Sequence, residues 1–282
     1  MSRNLLLRIA FAVPAIALTV FVIREGGFAL GGLLAVAGVL GAREIFAFAR
    51  HQGITPFAGL GYVGAGAIPC ATVWELNTGS AVGLYGGALW MLLILVAALA
   101  TRSPGGRPLA AVAVTIFACL YASGLPAFLI AIRDGPSAAN PAAATALGCF
   151  PLAVTWICDT CAMAAGALFG GPKLAPILSP RKTWAGAVGG VLGGLGTALV
   201  YGPLVLERWS VHLGAGQLAI TGLVIAVAAQ LGDAAESLLK REVGVKDSSG
   251  LIPGHGGVLD RLDSLYFVLP VSAGLFRVFG VA

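Results

Sequence analysis

Residues 215–240 read AGQLAITGLVIAVAAQLGDAAESLLK, and this stretch decides the class of fold. Its first eighteen residues, to Gly232, carry no charge and are as long as a membrane-spanning helix requires, about 20 residues. Its last eight change character without a helix breaker. Asp233, Glu236, Ser237 and Lys240 stand at i, i+3, i+4 and i+7, one stripe of the same helix continued past the apolar run. A helix that is lipid-soluble for five turns and then polar along one face belongs at the edge of a bilayer.

The rest of the chain repeats the apolar part of this pattern. Of 282 residues, 58% are hydrophobic and 10% charged, and mean hydropathy is +0.94. A soluble domain carries about 25% charged residues, so a water-facing surface cannot be built and the bilayer is the main solvent. The apolar segments are too long and too uniform for the alternation of a membrane β-barrel. Helices then satisfy the backbone. The expected fold is an all-α polytopic membrane protein of about nine spans, at 5–23, 27–41, 56–75, 80–100, 109–131, 143–170, 184–204, 215–232 and 263–280. The second is short and reads as partly interfacial, and the sixth is long enough for a break at Pro151. The N-terminal run reads as a retained first span rather than a cleaved signal. Two regions follow: N-terminal transmembrane helices over 1–141, and a C-terminal transmembrane region over 142–282 that holds most of the clustered charge.

Loop charge sets the orientation. With the N-terminus in the cytoplasm, twelve Lys and Arg fall on the cytoplasmic side, and only Arg24, Arg133 and Arg208 fall opposite. The net charge of +5 is spread among loops and gives no nucleic-acid footprint. Five cysteines sit in or beside apolar runs and form no disulfide framework; Cys158 and Cys161 make a lone C-x-x-C that reads as small apolar filler. Gly186, Gly190 and Gly194, with Gly189 and Gly193, give a small-residue stripe for close helix packing. Packing within the chain is its first reading; a subunit interface, hence a homodimer, is the second.

Charge is scarce here, so its clustering is informative. Eleven ionisable residues lie in the 31 positions from Asp233 to Asp263. Asp260 and Asp263 form a second carboxylate pair at i, i+3. Between the pairs runs Ile252-Pro-Gly-His-Gly-Gly-Val258, whose glycines permit positive φ and whose backbone N–H groups can cradle phosphate. Lys240, Arg241, Lys246 and Arg261 surround it. Two carboxylate pairs converging on one site would suit a hard divalent cation that keeps substrate phosphates in its shell. Ordinary snorkelling charges account for the cations taken alone, but not for acidic pairs around a glycine turn. A second cluster, Ser179-Pro-Arg-Lys-Thr183, reads as a helix start capped by Ser179 with Pro180 at its first position, an anion-attracting end reinforced by Arg181 and Lys182. Asp159 is the lone acidic residue of the sixth span, and an intramembrane carboxylate is a candidate functional group.

Ser237-Leu-Leu-Lys-Arg241, Lys246-Asp247, Pro253-Gly-His-Gly-Gly257 and Asp260-Arg-Leu-Asp263 together resemble the signature of phosphatidate cytidylyltransferases, also called CDP-diacylglycerol synthases. Gln230-Leu-Gly-Asp233, Glu236, Asp159-Thr160 and Ser179-Pro-Arg-Lys-Thr-Trp184 are similar to that family's approach to the signature. The resemblance implies transfer of a cytidylyl group from CTP to phosphatidate, with Mg²⁺ and room for a second cation such as K⁺, in a bacterial inner membrane with the site facing the cytoplasm. Its partners would be CTP, phosphatidate and membrane lipids, with no nucleic acid. On this reading Asp233, Asp260 and Asp263 hold the metal, with Asp159 and Glu236 in or next to its ligand set. Asp233, Asp260, Lys240, Arg261 and His255 form the catalytic group, His255 donating a hydrogen bond rather than abstracting a proton. Ser179, Arg181, Lys182, Thr183, Ser237, Arg241, Lys246, Gly256 and Gly257 bind substrate. Three positions depart from the family pattern: Ala185 stands where it usually has Glu, and Cys161 and Met163 where a Gly and an aromatic residue are expected. A CTP-dependent transferase for another lipid phosphate is the near alternative. A transporter would call for a matching charged cluster in the N-terminal half, and a scaffold would not need the full acidic set.

Overall fold

The computed structural model describes residues 3–135, 139–252 and 256–281. Helices occupy the expected places: α1 Arg3–Glu25, α2 Gly27–His51, α3 Ala58–Thr78, α4 Val82–Thr101 and α5 Pro108–Cys119, which passes through a π turn at Leu120–Gly124 into α6 Leu125–Asp134. Then follow α7 Pro141–Phe169, a hairpin of β1 Lys173–Ala175 and β2 Ser179–Thr183, α8 Trp184–Tyr201, α9 Ala215–Glu242, α10 Leu259–Leu262 and α11 Leu265–Val278. Six helical stretches among the described residues are long and apolar enough to cross a membrane: 27–51, 82–101, 104–134, 141–169, 184–209 and 215–242. Large apolar side chains stand fully open along them, Leu99 at 85% and Leu109 at 82% exposure. Such a surface is untenable in water and ordinary in lipid. The protein is an all-α membrane protein with, among the described residues, one small β hairpin.

Three expectations need correction. The second segment does not stop near residue 41. It runs 25 residues to His51, because Glu44 is not a loop charge: it is buried and its carboxylate is satisfied inside the protein. The long α7 is not broken at Pro151 and is helical from Pro141 to Phe169, the Thr155 hydroxyl donating to the Pro151 carbonyl at 2.8 Å. The last helix, α11, has 14 residues, about 21 Å at 1.5 Å per residue, short of the roughly 30 Å hydrocarbon core.

The chain forms two compact units, residues 1–131 with 243–261, and residues 132–242 with 262–282. In the first, α2 packs on α3, α5 and the π turn, its core face made by Leu30, Ala42, Ile45 and Phe46. The π turn is pinned where the Ser123 hydroxyl donates to the Ala65 carbonyl at 2.5 Å. In the second unit α8 lies against α7 and α9, and α9 against α11. Here the glycine stripe is used within the chain. A Cβ on Gly186 would sit 2.8 Å from the Ala162 carbonyl oxygen, on Gly193 2.6 Å from Cys161 Cβ, and on Gly194 2.7 Å from Ala226 Cβ. Helices in lipid gain little from hydrophobic association, so this close approach supplies their contact. Leu147, Phe150, Val154, Ile225 and Phe276 fill the core, with the Phe150 ring edge-on to Tyr201 at 5.2 Å and Phe276 at 5.8 Å.

Candidate active site

The polar stripe expected on the eighth span is present on α9, and one glycine determines what faces it. A Cβ on Gly232 would lie 2.6 Å from the Asp263 carbonyl oxygen and 3.1 Å from Ser264 Cα. With no side chain there, the segment leading into α11 lies directly on α9, one residue before Asp233, and Asp263 is brought beside Asp233. The Asp263 carboxylate accepts from the Ser264 N–H at 2.6 Å. From α7, Asp159 stands within electrostatic reach of Asp263, Asp233 and Lys182. Three carboxylates from three elements therefore share one region of the second unit.

Their positive counterpart comes from the hairpin. Lys182 Nζ lies 2.6 Å from Asp233 Oδ2, both side chains about a third exposed at 27% and 32%. The other Asp233 oxygen accepts from the Ser237 hydroxyl at 3.4 Å. One turn further along α9, Lys240 donates to Glu236 at 3.2 Å in a buried pair, with side-chain exposures of 10% and 0%. Removing one member of such a pair leaves an uncompensated buried charge, so Lys240 is structurally bound to Glu236.

The Ser179–Thr183 run is a strand, not the start of a helix. Lys173 pairs with Thr183 and Ala175 with Ser179. Arg181 is exposed, while Thr183, at the end of the strand where α8 begins, is buried at 5%. The helix begins at Trp184, and its cap is Thr183, whose hydroxyl accepts from the Gly186 N–H at 3.1 Å. Ser179, expected as the cap, is a strand residue four positions too early. The last turn of α9 is tied to the same hairpin, Arg241 Nε donating to the Leu178 carbonyl at 3.2 Å.

The remainder of the signature, residues 243–261, folds with the first unit. Asp260 Oδ2 accepts from the Ser248 N–H, the Ser248 hydroxyl and the Gly257 N–H, all at 2.8 Å. Ile252 N–H donates to the Gly256 carbonyl at 2.8 Å. Gly256 has φ 80°, and a Cβ there would lie 2.5 Å from Asp260 Oδ2; glycine is required on both grounds. A Cβ on Gly257 would run into Ser248 and Glu44. Lys246 and Arg261 are exposed. His255 and Gly254 lie outside the described residues.

Glu44 was missed in the sequence. It is 4% exposed. Its Oε1 accepts from the Ser249 hydroxyl at 2.6 Å and the Val258 N–H at 3.0 Å, and its Oε2 from the Ser248 hydroxyl at 2.8 Å and the Leu259 N–H at 2.9 Å. The signal that selected Asp159, a carboxylate inside an apolar helix, applies equally to Glu44 once α2 is extended past residue 41. Among the described residues, no three or more His, Cys, Asp or Glu side chains are grouped so that they could hold a metal ion.

Two polar assemblies thus share one signature: a carboxylate cluster with a lysine, and a glycine turn whose backbone is held by carboxylates. The chain matches the Cytidylyltransferase family over residues 6–279. A phosphatidate cytidylyltransferase of Brucella suis biovar 1 (strain 1330) is 37% identical over 211 residues, 73% of this chain and 71% of that protein. One from Synechocystis sp. (strain ATCC 27184 / PCC 6803 / Kazusa) is 32% identical over 288 residues, 94% of each. One from Haemophilus influenzae (strain ATCC 51907 / DSM 11121 / KW20 / Rd) is 47% identical over 122 residues, 42% of this chain and 41% of that protein. With a match that runs almost from end to end and a signature whose charged residues are gathered into these two assemblies, this chain belongs to the cytidylyltransferase family.

Proposed function

We propose that this cytidylyltransferase transfers the cytidylyl group of CTP to phosphatidate, forming CDP-diacylglycerol and pyrophosphate. The observation that carries the reading is the cluster of Asp159, Asp233 and Asp263 with Lys182 at Asp233, in a chain whose relatives are named phosphatidate cytidylyltransferases.

The chemistry needs no activated serine. A phosphatidate oxygen is already anionic at neutral pH and attacks the α-phosphorus of CTP. One P–O bond forms, the bond from that phosphorus to the bridging oxygen breaks, and the electron pair leaves with pyrophosphate. The obstacle is charge, two polyanions brought face to face, and the remedy is fixed counter-charge and in-line placement. The donor set suits Mg²⁺, which binds one or two carboxylates and completes its shell with water and substrate phosphate. Asp233 and Asp263 would hold it with Asp159 adjacent, and when bound it neutralises phosphate charge; K⁺ is proposed as a second cation. Lys182 is assigned to the phosphates. Arg181, Arg241, Lys246 and Arg261, exposed around the two assemblies, are assigned to the triphosphate and the lipid headgroup. Asp260 is assigned to ordering the glycine turn whose N–H groups meet phosphate, and Glu236 to fixing Lys240.

The reading extends to topology. About nine membrane-embedded segments with the N-terminus in the cytoplasm, the last of them, α11, too short to cross as a helix alone, account for the excess of Lys and Arg on one side, twelve against three. They put the site on the cytoplasmic face of a bacterial inner membrane, where CTP is found. Residues 142–282 carry most of the chemistry, and residues 1–141 carry Glu44.

The test is purified protein in detergent with CTP, Mg²⁺ and, separately, phosphatidate, an ether-linked analogue and a polyprenyl phosphate. Conversion of phosphatidate at least tenfold faster than the others is expected. Preference for either other lipid overturns the substrate assignment.

A further inference from the structure

We infer that Glu44, on α2, is a positioning residue for the transfer reaction: it holds the signature backbone at Gly257, Val258 and Leu259 in its working position. The inference rests on the reaction proposed above.

The argument starts from where its four partners lie. Ser248 and Ser249 enter the loop that contains the glycine turn; Val258 and Leu259 leave it. One carboxylate, some two hundred positions away in sequence, therefore staples both ends of a loop about ten residues long. Each oxygen takes one hydroxyl and one backbone N–H, so the set is divided evenly between the two loop ends. The backbone that presents Glu44 is itself rigid, with Ala42 and Phe46 fully buried and Ile45 at 5%. A carboxylate fixed at its root and saturated at its tip positions whatever it holds.

What it holds is the phosphate-facing part of the proposed site. Val258 and Leu259 are not reactive, but their N–H groups fix the chain immediately after Gly256 and Gly257.

 Ser248 links this clamp to the catalytic signature: its hydroxyl lies 2.8 Å from Glu44 Oε2 and 2.8 Å from Asp260 Oδ2. The single proton of that hydroxyl serves one carboxylate at a time, so the position of Ser248 depends on both. Gly257 has no room for a side chain because Glu44 and Ser248 close over it. An amide in place of the carboxylate keeps one acceptor oxygen and turns two N–H donors toward groups that already donate, so Glu44→Gln preserves volume and loses the clamp.

The experiment compares wild type with Glu44→Gln, Glu44→Asp and Ser249→Ala in detergent. It measures kcat, KM for CTP and KM for phosphatidate, and amide hydrogen exchange at residues 256–260. For Glu44→Gln, a fall in kcat/KM for CTP of at least about tenfold is expected, with KM for phosphatidate within about twofold and faster exchange at 256–260. Glu44→Asp, shorter by one methylene, is expected to recover part of the loss. Wild-type rates with unchanged exchange in Glu44→Gln overturn the inference, as does an equal loss toward both substrates with unchanged exchange. If Glu44→Gln does not accumulate, Ser249→Ala decides: faster exchange at 256–260 supports the clamp, and wild-type exchange overturns it. If wild type itself makes no CDP-diacylglycerol, the proposed reaction fails, and the exchange data still decide whether Glu44 holds the turn.

Discussion

Lys182 Nζ lies 2.6 Å from Asp233 Oδ2, joining the strand before α8 to the polar stripe of α9. Both side chains are about a third exposed, so the pair contributes little to stability, at most about 1 kcal/mol. Its value is in placing one ammonium and one carboxylate where phosphate charge must be met. Lys182→Met is expected to lower kcat/KM for CTP by about a hundredfold while shifting Tm by no more than about 3 °C. Lys182→Arg should retain part of the activity. Initial rates and thermal unfolding of the purified variants check this, and a large Tm loss with normal turnover would reverse the assignment.

The cap of α8 gives a stability prediction. Thr183→Ala removes the side chain that accepts from Gly186 N–H and should cost about 1 kcal/mol. Thr183→Ser should recover most of it. Ser179→Ala is expected to change stability by less than about 0.5 kcal/mol, since Ser179 caps nothing. Denaturation in mixed micelles distinguishes the three.

The glycine stripe of α8 predicts a contrast between neighbours. A Cβ on Gly193 would stand 2.6 Å from Cys161 Cβ, whereas one on Gly196 would meet nothing within 4 Å. Gly193→Ala should destabilise by about 1–3 kcal/mol through overpacking. Gly196→Ala should be neutral or stabilising by up to about 1 kcal/mol, because alanine loses less backbone entropy in a helix. Equal effects at the two positions would show that α7 and α8 do not meet along this stripe.

Asp260→Asn is expected to reduce turnover below about a hundredth of wild type while the protein remains inserted and folded. Three donors converge on Asp260 Oδ2, and an amide set among them loses acceptor capacity and adds donors. Excess Mg²⁺ should not restore activity, because the lesion lies in the loop. Near-normal turnover in detergent contradicts this role for Asp260, and recovery with Mg²⁺ would instead make it a metal ligand.

Much of the architecture was legible because the physical signal is local. An apolar run such as 215–232 followed by Asp233, Glu236 and Lys240 at helical spacing specifies a membrane helix with a polar end from composition and period alone. The residues of the signature were legible for the same reason. Glu44 was not, since its partners lie more than two hundred positions away and charge at 43 and 44 resembles the end of a span. Thr183 reads as a substrate-binding residue and the cap is placed at Ser179, because Ser-Pro is a common helix start and nothing local reveals that β1 pairs with the run and holds it extended. The approach of Asp263 to Asp233 depends on Gly232, a glycine whose function appears only when Asp263 and Ser264 are seen against it.

The most direct measurement follows cytidine label from CTP into lipid, with Mg²⁺ and phosphatidate, for wild type and for Asp233→Asn. Wild type should form labelled CDP-diacylglycerol and pyrophosphate in equal amounts. Asp233→Asn, with an unfolding temperature within about 3 °C of wild type, should form less than about a hundredth as much. Absence of labelled lipid with wild type, or near-wild-type formation by Asp233→Asn, would contradict the account.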